Sequence, residues 1–326
     1  MDINEIVHKI LKNHSQEKHL FLIKENGKYG YITSSGEVVI QPQFETAEPF
    51  ADGFAAVRQG SLWGFIDSTG CIVIAPCFDA VRKFSQGLCA VKTGGAWKYI
   101  TVQGNDITPI VFHDAADFSE GHARVRLLDK WGFIDITGKY TVSPHFVAAG
   151  SFHEGATVVF DGAKWRYITP DGHPALPGMF DEAYRFDNGM AAVRSGYMWG
   201  YVNRKGAFIV NPQFEEVWLF TEGLAAVKIQ GKWGYINTSG RFEITPQYEN
   251  AWEFSNGLAC VQTEDKWGYI RPDGQWGIQP KFAHAETFTY GLARVALEKF
   301  WFYREGNSIT YEKWVYIDAQ GKIVWY

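Results

Sequence analysis

No stretch of this sequence approaches the roughly 20 consecutive apolar residues that a membrane-spanning helix requires, so a helical span is not expected. Cysteine is scarce, with Cys71, Cys77, Cys89 and Cys260 the only four in 326 residues. No two of them have CxxC spacing, which argues against a zinc ribbon or a thioredoxin-like redox centre. They read as reduced residues of a cytoplasmic protein. Basic charge is in deficit, 31 Lys and Arg against 36 Asp and Glu, so no positive field advertises nucleic acid. Walker loops, GxGxxG, HExxH, GxSxG and EF-hand signatures are all missing. Neither an enzyme nor a cofactor or metal is therefore expected. The start, MDINEIVHKILKNHSQEKH, lacks the basic opening and unbroken apolar run of a secretory signal. Ile3, Ile6, Val7, Ile10 and Leu11 share one helical face behind an Asp2–Glu5 pair resembling a capping box. Residues 1–19 are predicted to form a short amphipathic helix that caps the open end of the remaining chain.

What the chain has in abundance is aromatic side chains, 16% of all residues, together with 34 glycines against 12 prolines. That balance favours an all-β protein. The aromatics are periodic. Tyr29, Trp63, Trp97, Trp131, Trp165, Trp199, Trp233 and Trp267 succeed one another every 34 residues, and Trp314 comes 47 after the last, after a 13-residue insertion. Taking this anchor as position 0, position +2 is Tyr or Phe, +3 is Ile or Val and +7 is Gly in all nine repeats. Eight complete repeats add an aromatic at +15, Phe at +21, Gly at +24 and Val at +28. Fixed periods of this size mean a solenoid, a propeller or a similar array. Gly-closed turns and β-branched runs in every unit argue against helical repeats of the same length.

One unit, GLAAVKIQGKWGYINTSGRFEITPQYENAWEF, reads as two hairpins: LAAVK, KWGYI and an FEIT strand. The link PQYENAWEFSNG is predicted to hold a helical turn placing Tyr248, Ala251 and Phe254 on one side. Gly at +1 removes a side chain where a neighbouring backbone or ring packs closely. Lys98, Arg166 and Val315 replace that Gly, and Pro109 stands one place early, so the units at Trp97 and Trp165 are expected to be distorted. These motifs resemble the bacterial WG β-repeat family, also called KWG repeats, over about residues 20–326. The resemblance implies a β-rich repeat protein without a common enzymatic activity, of a kind associated with interaction modules and, for some members, toxin–immunity systems. The expected fold is an open curved superhelix of about eight to nine three-stranded meanders, with the 1–19 helix at one end and a C-terminal cap from about residue 292. A closed propeller-like ring is the alternative.

Function is sought where the repeat is silent. Position +19 reads Glu48, Arg82, Ala116, Gly150, Tyr184, Trp218, Trp252, Glu286. Stacked units would line Tyr184, Trp218 and Trp252 into an aromatic stripe, flanked by Arg185, Glu215, Glu216, Glu249 and Glu253. Aromatics beside charges suit a protein partner; flat stacked rings also suit a glycan or cell-envelope ligand. Position +29 carries Arg58, Lys92, Arg126, Arg194 and Lys228, a basic ladder or simply the wet end of a strand. His153 beside Glu154 reads as a solvated turn, and His113 with Asp114 and Asp117 lacks a second ligand set for a metal. The leading expectation is a non-catalytic scaffold for protein–protein interaction, of immunity or regulatory type.

Overall fold

The computed structural model describes residues 19–304 and 307–326. The helix expected over residues 1–19 lies outside them, apart from His19. Every regular element among the described residues is a strand, and no helix there is long and apolar enough to cross a membrane. The strands form nine antiparallel sheets, blades 1 to 9, over residues 21–44, 46–78, 80–101, 114–146, 148–168, 182–214, 216–248, 250–282 and 284–325. The chain divides into two compact units after Met179; blades 1–5 belong to the first and blades 6–9 to the second.

Blade 7 shows the pattern. Its strands are Glu216–Val217, Leu224–Ile229, Lys232–Asn237 and Phe242–Tyr248, paired in that order. The second and third meet at the left-handed pair Gln230 (φ 51°) and Gly231 (φ 73°), which matches the right-handed twist of a tight hairpin. The next turn ends on Gly240 (φ 81°), as its NTSG sequence predicts. Six of the nine blades have four strands in this arrangement. The expectation of three-stranded units in an open superhelix is therefore corrected: these are blades of a β-propeller, and 34 residues suffice for four strands. The fourth strand is hidden in the link. No helical turn forms there; Asn250 and Ala251 pair with Gln262 and Val261 instead. Two residues are too few to display strand alternation. Tyr248, Ala251 and Phe254 are nevertheless buried together, because the link carries them into one cluster.

The Trp-Gly pair is a consequence of this geometry. A Cβ on Gly234 would lie 2.6 Å from the Ile244 carbonyl oxygen and 2.7 Å from the Pro246 nitrogen. The register slips between Trp233↔Tyr248 and Tyr235↔Ile244, and the bulged strand presses its backbone onto the glycine. Where a side chain stands there, the pressing strand is lost or shortened. Blade 3, with Lys98, keeps only the isolated bridges Trp97↔Phe112 and Ile100↔Asp106 in place of a last strand. Blade 5, with Arg166, keeps only Ile168↔Pro174. Opposite Val315 in blade 9, the last strand is just Ile323–Trp325.

Cores sit between neighbouring blades, so no blade is stable alone. One cluster joins Trp233, Tyr235, Ile244 and Tyr248 of blade 7 to Ala259, Val261 and Ile270 of blade 8. The +2 and +21 aromatics meet edge to face, as in Tyr235–Phe254 at 4.9 Å. The +2 hydroxyl then needs an acceptor, and it donates to the +19 carbonyl: Tyr235 to Trp252 O at 2.8 Å, Tyr201 to Trp218 O at 2.7 Å, Tyr269 to Glu286 O at 2.8 Å. Where +2 is Phe65, the Cys89 thiol donates to that carbonyl, Arg82 O, at 3.1 Å. A second ladder joins successive +23/+24 turns. Gly87 N donates to Asp52 Oδ2 at 3.0 Å, Gly121 N to Gln86 Oε1 at 2.8 Å, and Gly257 N to Glu222 Oε2 at 3.0 Å. The segment from about residue 292 anticipated as a C-terminal cap lies in blade 9, with strands Leu292–Arg304 and Asn307–Asp318 paired along their length.

Candidate functional site

Each complete blade carries a row of side chains across its sheet. In blade 7 it runs Glu216, Lys228, Trp233, Tyr248, one residue from each strand. The anchor Trp is thus the direct cross-strand neighbour of position +29, and a cation there lies over the indole: Arg58 over Trp63 at 5.8 Å, Arg126 over Trp131 at 5.8 Å, Lys228 over Trp233 at 5.9 Å. The +29 residues also meet acids at +17, with Arg194–Glu182 at 2.5 Å and Lys228–Glu216 at 2.6 Å. The basic ladder is therefore balanced in blades 4, 6 and 7, where Arg126, Arg194 and Lys228 meet acids, whereas Arg58 and Lys92 face the neutral Thr46 and Ala80. Sequence inspection missed this because +17 lay in a link with no assigned strand. Of the anchors, Trp97, Trp199, Trp233 and Trp267 are buried; Trp63, Trp131, Trp165 and Trp314 are half-buried.

Position +19 supplies a second lid. Arg82 lies over Trp97 at 5.2 Å. In the second unit rings take the same place: Tyr184 stacks on Trp199 at 4.8 Å, and Trp218 on Trp233 at 6.4 Å. Trp218 also stacks on Trp252 at 5.1 Å, and its Nε1 donates to Ala251 O at 3.1 Å. The structure therefore brings Trp218 and Trp252 into one stack and sets Tyr184 on its own anchor. Trp218 is half-buried, whereas Tyr184 and Trp252 stay 40% and 39% exposed. Burial, then the carboxylates of Glu182 and Glu216, push the Tyr184 hydroxyl above its ordinary value, with Arg194 opposing.

The flanking charges divide. Glu216 remains beside the rings, paired with Lys228. Glu215 and Glu249 cap hairpin tips: Gly231 N donates to Glu215 Oε2 at 3.1 Å, and Asp265 N to Glu249 Oε2 at 3.4 Å. Asp79 and Asp181 do the same for Gly94 and Gly196. His113 sits at the equivalent place, accepting from Leu128 N at 3.0 Å, which gives it a structural duty. Arg185 is exposed and 3.4 Å from Asp187, while Glu253 is half-buried near the Tyr235 hydroxyl. Tyr197 and Met198 were not singled out from the sequence. They form the exposed tip beside Trp199, with Tyr197 92% accessible; the repeats vary freely there, so only an apolar pair in a turn could have signalled it.

In the first unit, Asp114 lies 3.3 Å from Arg82 and 3.8 Å from Arg126. Arg124 also stacks over Trp131 and donates to Ala149 O. Burial raises the Asp117 carboxyl against the pull of Lys83, Arg82 and Arg124. These groups hold turns and indoles in place. No group of three or more His, Cys, Asp or Glu among the described residues could hold a metal ion.

The fold recurs at low identity in a solved structure. The crystal structure of the eukaryotic initiation factor aligns with TM-score 0.65 at 11% identity, covering 94% of this chain and 95% of that one. BamB from Moraxella catarrhalis aligns at 9% identity and TM-score 0.46, over 79% and 90% of the two chains. No curated protein matches the chain. The WG containing repeat matches eight times in succession, at residues 29–63, 63–97, 99–131, 131–165, 165–198, 199–233, 233–267 and 267–301. With its Trp-Gly pairs explained by the strand that presses on them, the chain belongs to the WG containing repeat family.

Proposed function

We propose that this chain is a non-catalytic scaffold that binds another protein through the aromatic end of blades 6 to 8, in an immunity or regulatory role inside the cell. The observation that carries the reading is the partial exposure of Tyr184 and Trp252 in a molecule that buries most of its aromatics. Rings of this size beside ion pairs are the makeup of interface hot spots. Tyr197 and Met198 extend the same apolar end in blade 6. The scaffold does not need these rings exposed, since its claim on +19 is the backbone carbonyl. The titratable groups nearby are spent on turns and ion pairs, which supports a binding role over catalysis. The flat Trp218–Trp252 stack also favours a glycan as second reading.

The test is affinity capture from native lysate with wild type, Trp252→Ala and Tyr184→Ala, each checked for an unchanged melting temperature. A stoichiometric protein partner lost from both variants supports the proposal. Undiminished capture by folded variants refutes this face, and binding to a glycan array in place of a protein favours the second reading.

A further inference from the structure

In five blades the protein lays its own cation over the anchor Trp. Besides Arg58, Arg126 and Lys228, these are Arg82 over Trp97 at 5.2 Å and Arg294 over Trp314 at 4.8 Å. Blades 5, 6 and 8 do not: Phe160 faces Trp165 and Tyr184 stacks on Trp199, while blade 8 has, among the described residues, neither a cation nor a ring in that place. Its +29 residue, across from Trp267, is the neutral Gln262, and its +17 partner is the neutral Asn250, hydrogen-bonded to it at 2.5 Å. Among the described residues no Lys or Arg stands over Trp267 or Trp252. Trp252 is at the same time the most exposed indole of the stack, backed on one side by Trp218.

Acids gather on the same blade. Glu249 reaches the blade 8 hairpin tip through the Asp265 amide, so that Glu249, Glu264 and Asp265 gather at one turn. Lys266, the base of that hairpin, is one residue from Trp267 and so lies on the opposite face of the strand. In blade 7 the corresponding acid, Glu215, caps its tip in the same way, and the +17/+29 pair beside it is Glu216 with Lys228; in blade 8 that pair is the neutral Asn250 with Gln262. An electron-rich ring with a carboxylate rim is what a guanidinium or ammonium group prefers.

We infer that a basic, arginine-bearing segment of the partner lays a guanidinium over the exposed Trp252 indole, where the protein places no cation of its own, and that the acids of the blade 8 hairpin hold its charge. The inference rests on the proposed binding face and gives that face its chemistry. Arginine is the better fit than lysine, because its plane can stack on the ring while its edge donates to carboxylates.

The probe is a fluorescein-labelled hexa-arginine peptide titrated with the full chain by anisotropy, with hexa-lysine in parallel. Two variants test it: Trp252→Leu removes the ring, and Gln262→Arg restores an internal cation while leaving every ring in place. Each is expected to weaken hexa-arginine binding about tenfold, and hexa-lysine is expected to bind wild type more weakly. Equal affinity of wild type and both variants overturns the inference, since general attraction to an acidic protein would then explain the binding. A captured partner that depends on Trp252 yet binds equally well to Gln262→Arg also overturns it, while leaving the binding face standing. A partner indifferent to Trp252 removes the face itself.

Discussion

Replacing Gly234 by Ala tests the account of the repeat at its centre. The added methyl would meet Ile244 O at 2.6 Å, Pro246 N at 2.7 Å and Pro246 Cα at 2.9 Å. All three atoms are backbone, so no side chain can swing aside. The strand Phe242–Tyr248 must move away from Lys232–Asn237, and it carries Ile244 and Tyr248 out of the blade 7–blade 8 core. Overpacking of this kind costs about 3 kcal/mol. At about 2–4 °C per kcal/mol for a domain of this size, the melting temperature should fall by roughly 6–12 °C. Two controls isolate the cause. Gly231→Ala places a methyl at φ 73° with nothing within 4 Å, so only the left-handed conformation is penalised, by about 1–2 kcal/mol. Lys98→Gly, where no strand presses, should cost under about 1 kcal/mol, from backbone entropy. Thermal melts followed by circular dichroism give all three. If Gly234→Ala loses less than Gly231→Ala, the pressing strand is not why the glycine is there.

Phe220→Ala should cost about 3–5 kcal/mol, because the ring is buried against Tyr201; Trp131→Ala, half-buried under Arg124 and Arg126, should fall at the lower end. Urea unfolding decides both, and losses under about 1 kcal/mol would remove these positions from the core. Tyr235→Phe should cost about 1 kcal/mol by stranding the Trp252 carbonyl, a small penalty since Phe65 and Phe133 occupy the same position elsewhere. Acid should loosen the +4 to +7 turns. Burial pushes the Asp67 and Asp135 carboxyls up, but hydrogen bonds from Thr69 and Cys71, and from Thr137 and Lys139, outweigh it and leave both below their ordinary value. A depressed folded value means that the stabilisation is present above about pH 4 and is lost as pH falls further. Asp67→Asn with Asp135→Asn should flatten the acid limb of a melting-temperature profile; an unchanged limb would count against these turns as its source.

Much of the blade was legible because repetition averages out accident. The hairpins, the turn glycines, the buried +2, +3 and +21 residues and the distortion at Trp97 and Trp165 all stem from residue types that only one backbone geometry accepts. The number of strands did not. A two-residue strand such as Glu216–Val217 has no period to read, and only its partner across the ladder, Lys228–Val227, reveals it. That omission hid the +17/+29 ion pairs of blades 4, 6 and 7 and made a partly balanced row resemble a free basic ladder. It also made Glu215 and Glu249 look like members of a surface cluster, when each was committed to an amide at a hairpin tip.

Position +19 was readable as variable but not as the reason for variability. Its peptide carbonyl is fixed in place as the acceptor for a buried Tyr hydroxyl in five repeats, from Tyr31 with Glu48 to Tyr269 with Glu286. Any residue offers that carbonyl, so the scaffold constrains the backbone and leaves the side chain open. The side chain is then held over the anchor indole by its fixed main chain, as Arg82, Tyr184 and Trp218 show. A position that is rigid in backbone, unconstrained in identity and placed above an aromatic floor can acquire recognition without loss of stability. By this reasoning, exchanging Trp252 for Glu, the residue its neighbouring repeat carries as Glu286, should leave the melting temperature within about 1 kcal/mol of wild type in equivalent stability while abolishing capture of a partner that stacks on the indole. A large loss of stability would show instead that the ring, and not the carbonyl, is what the scaffold requires there.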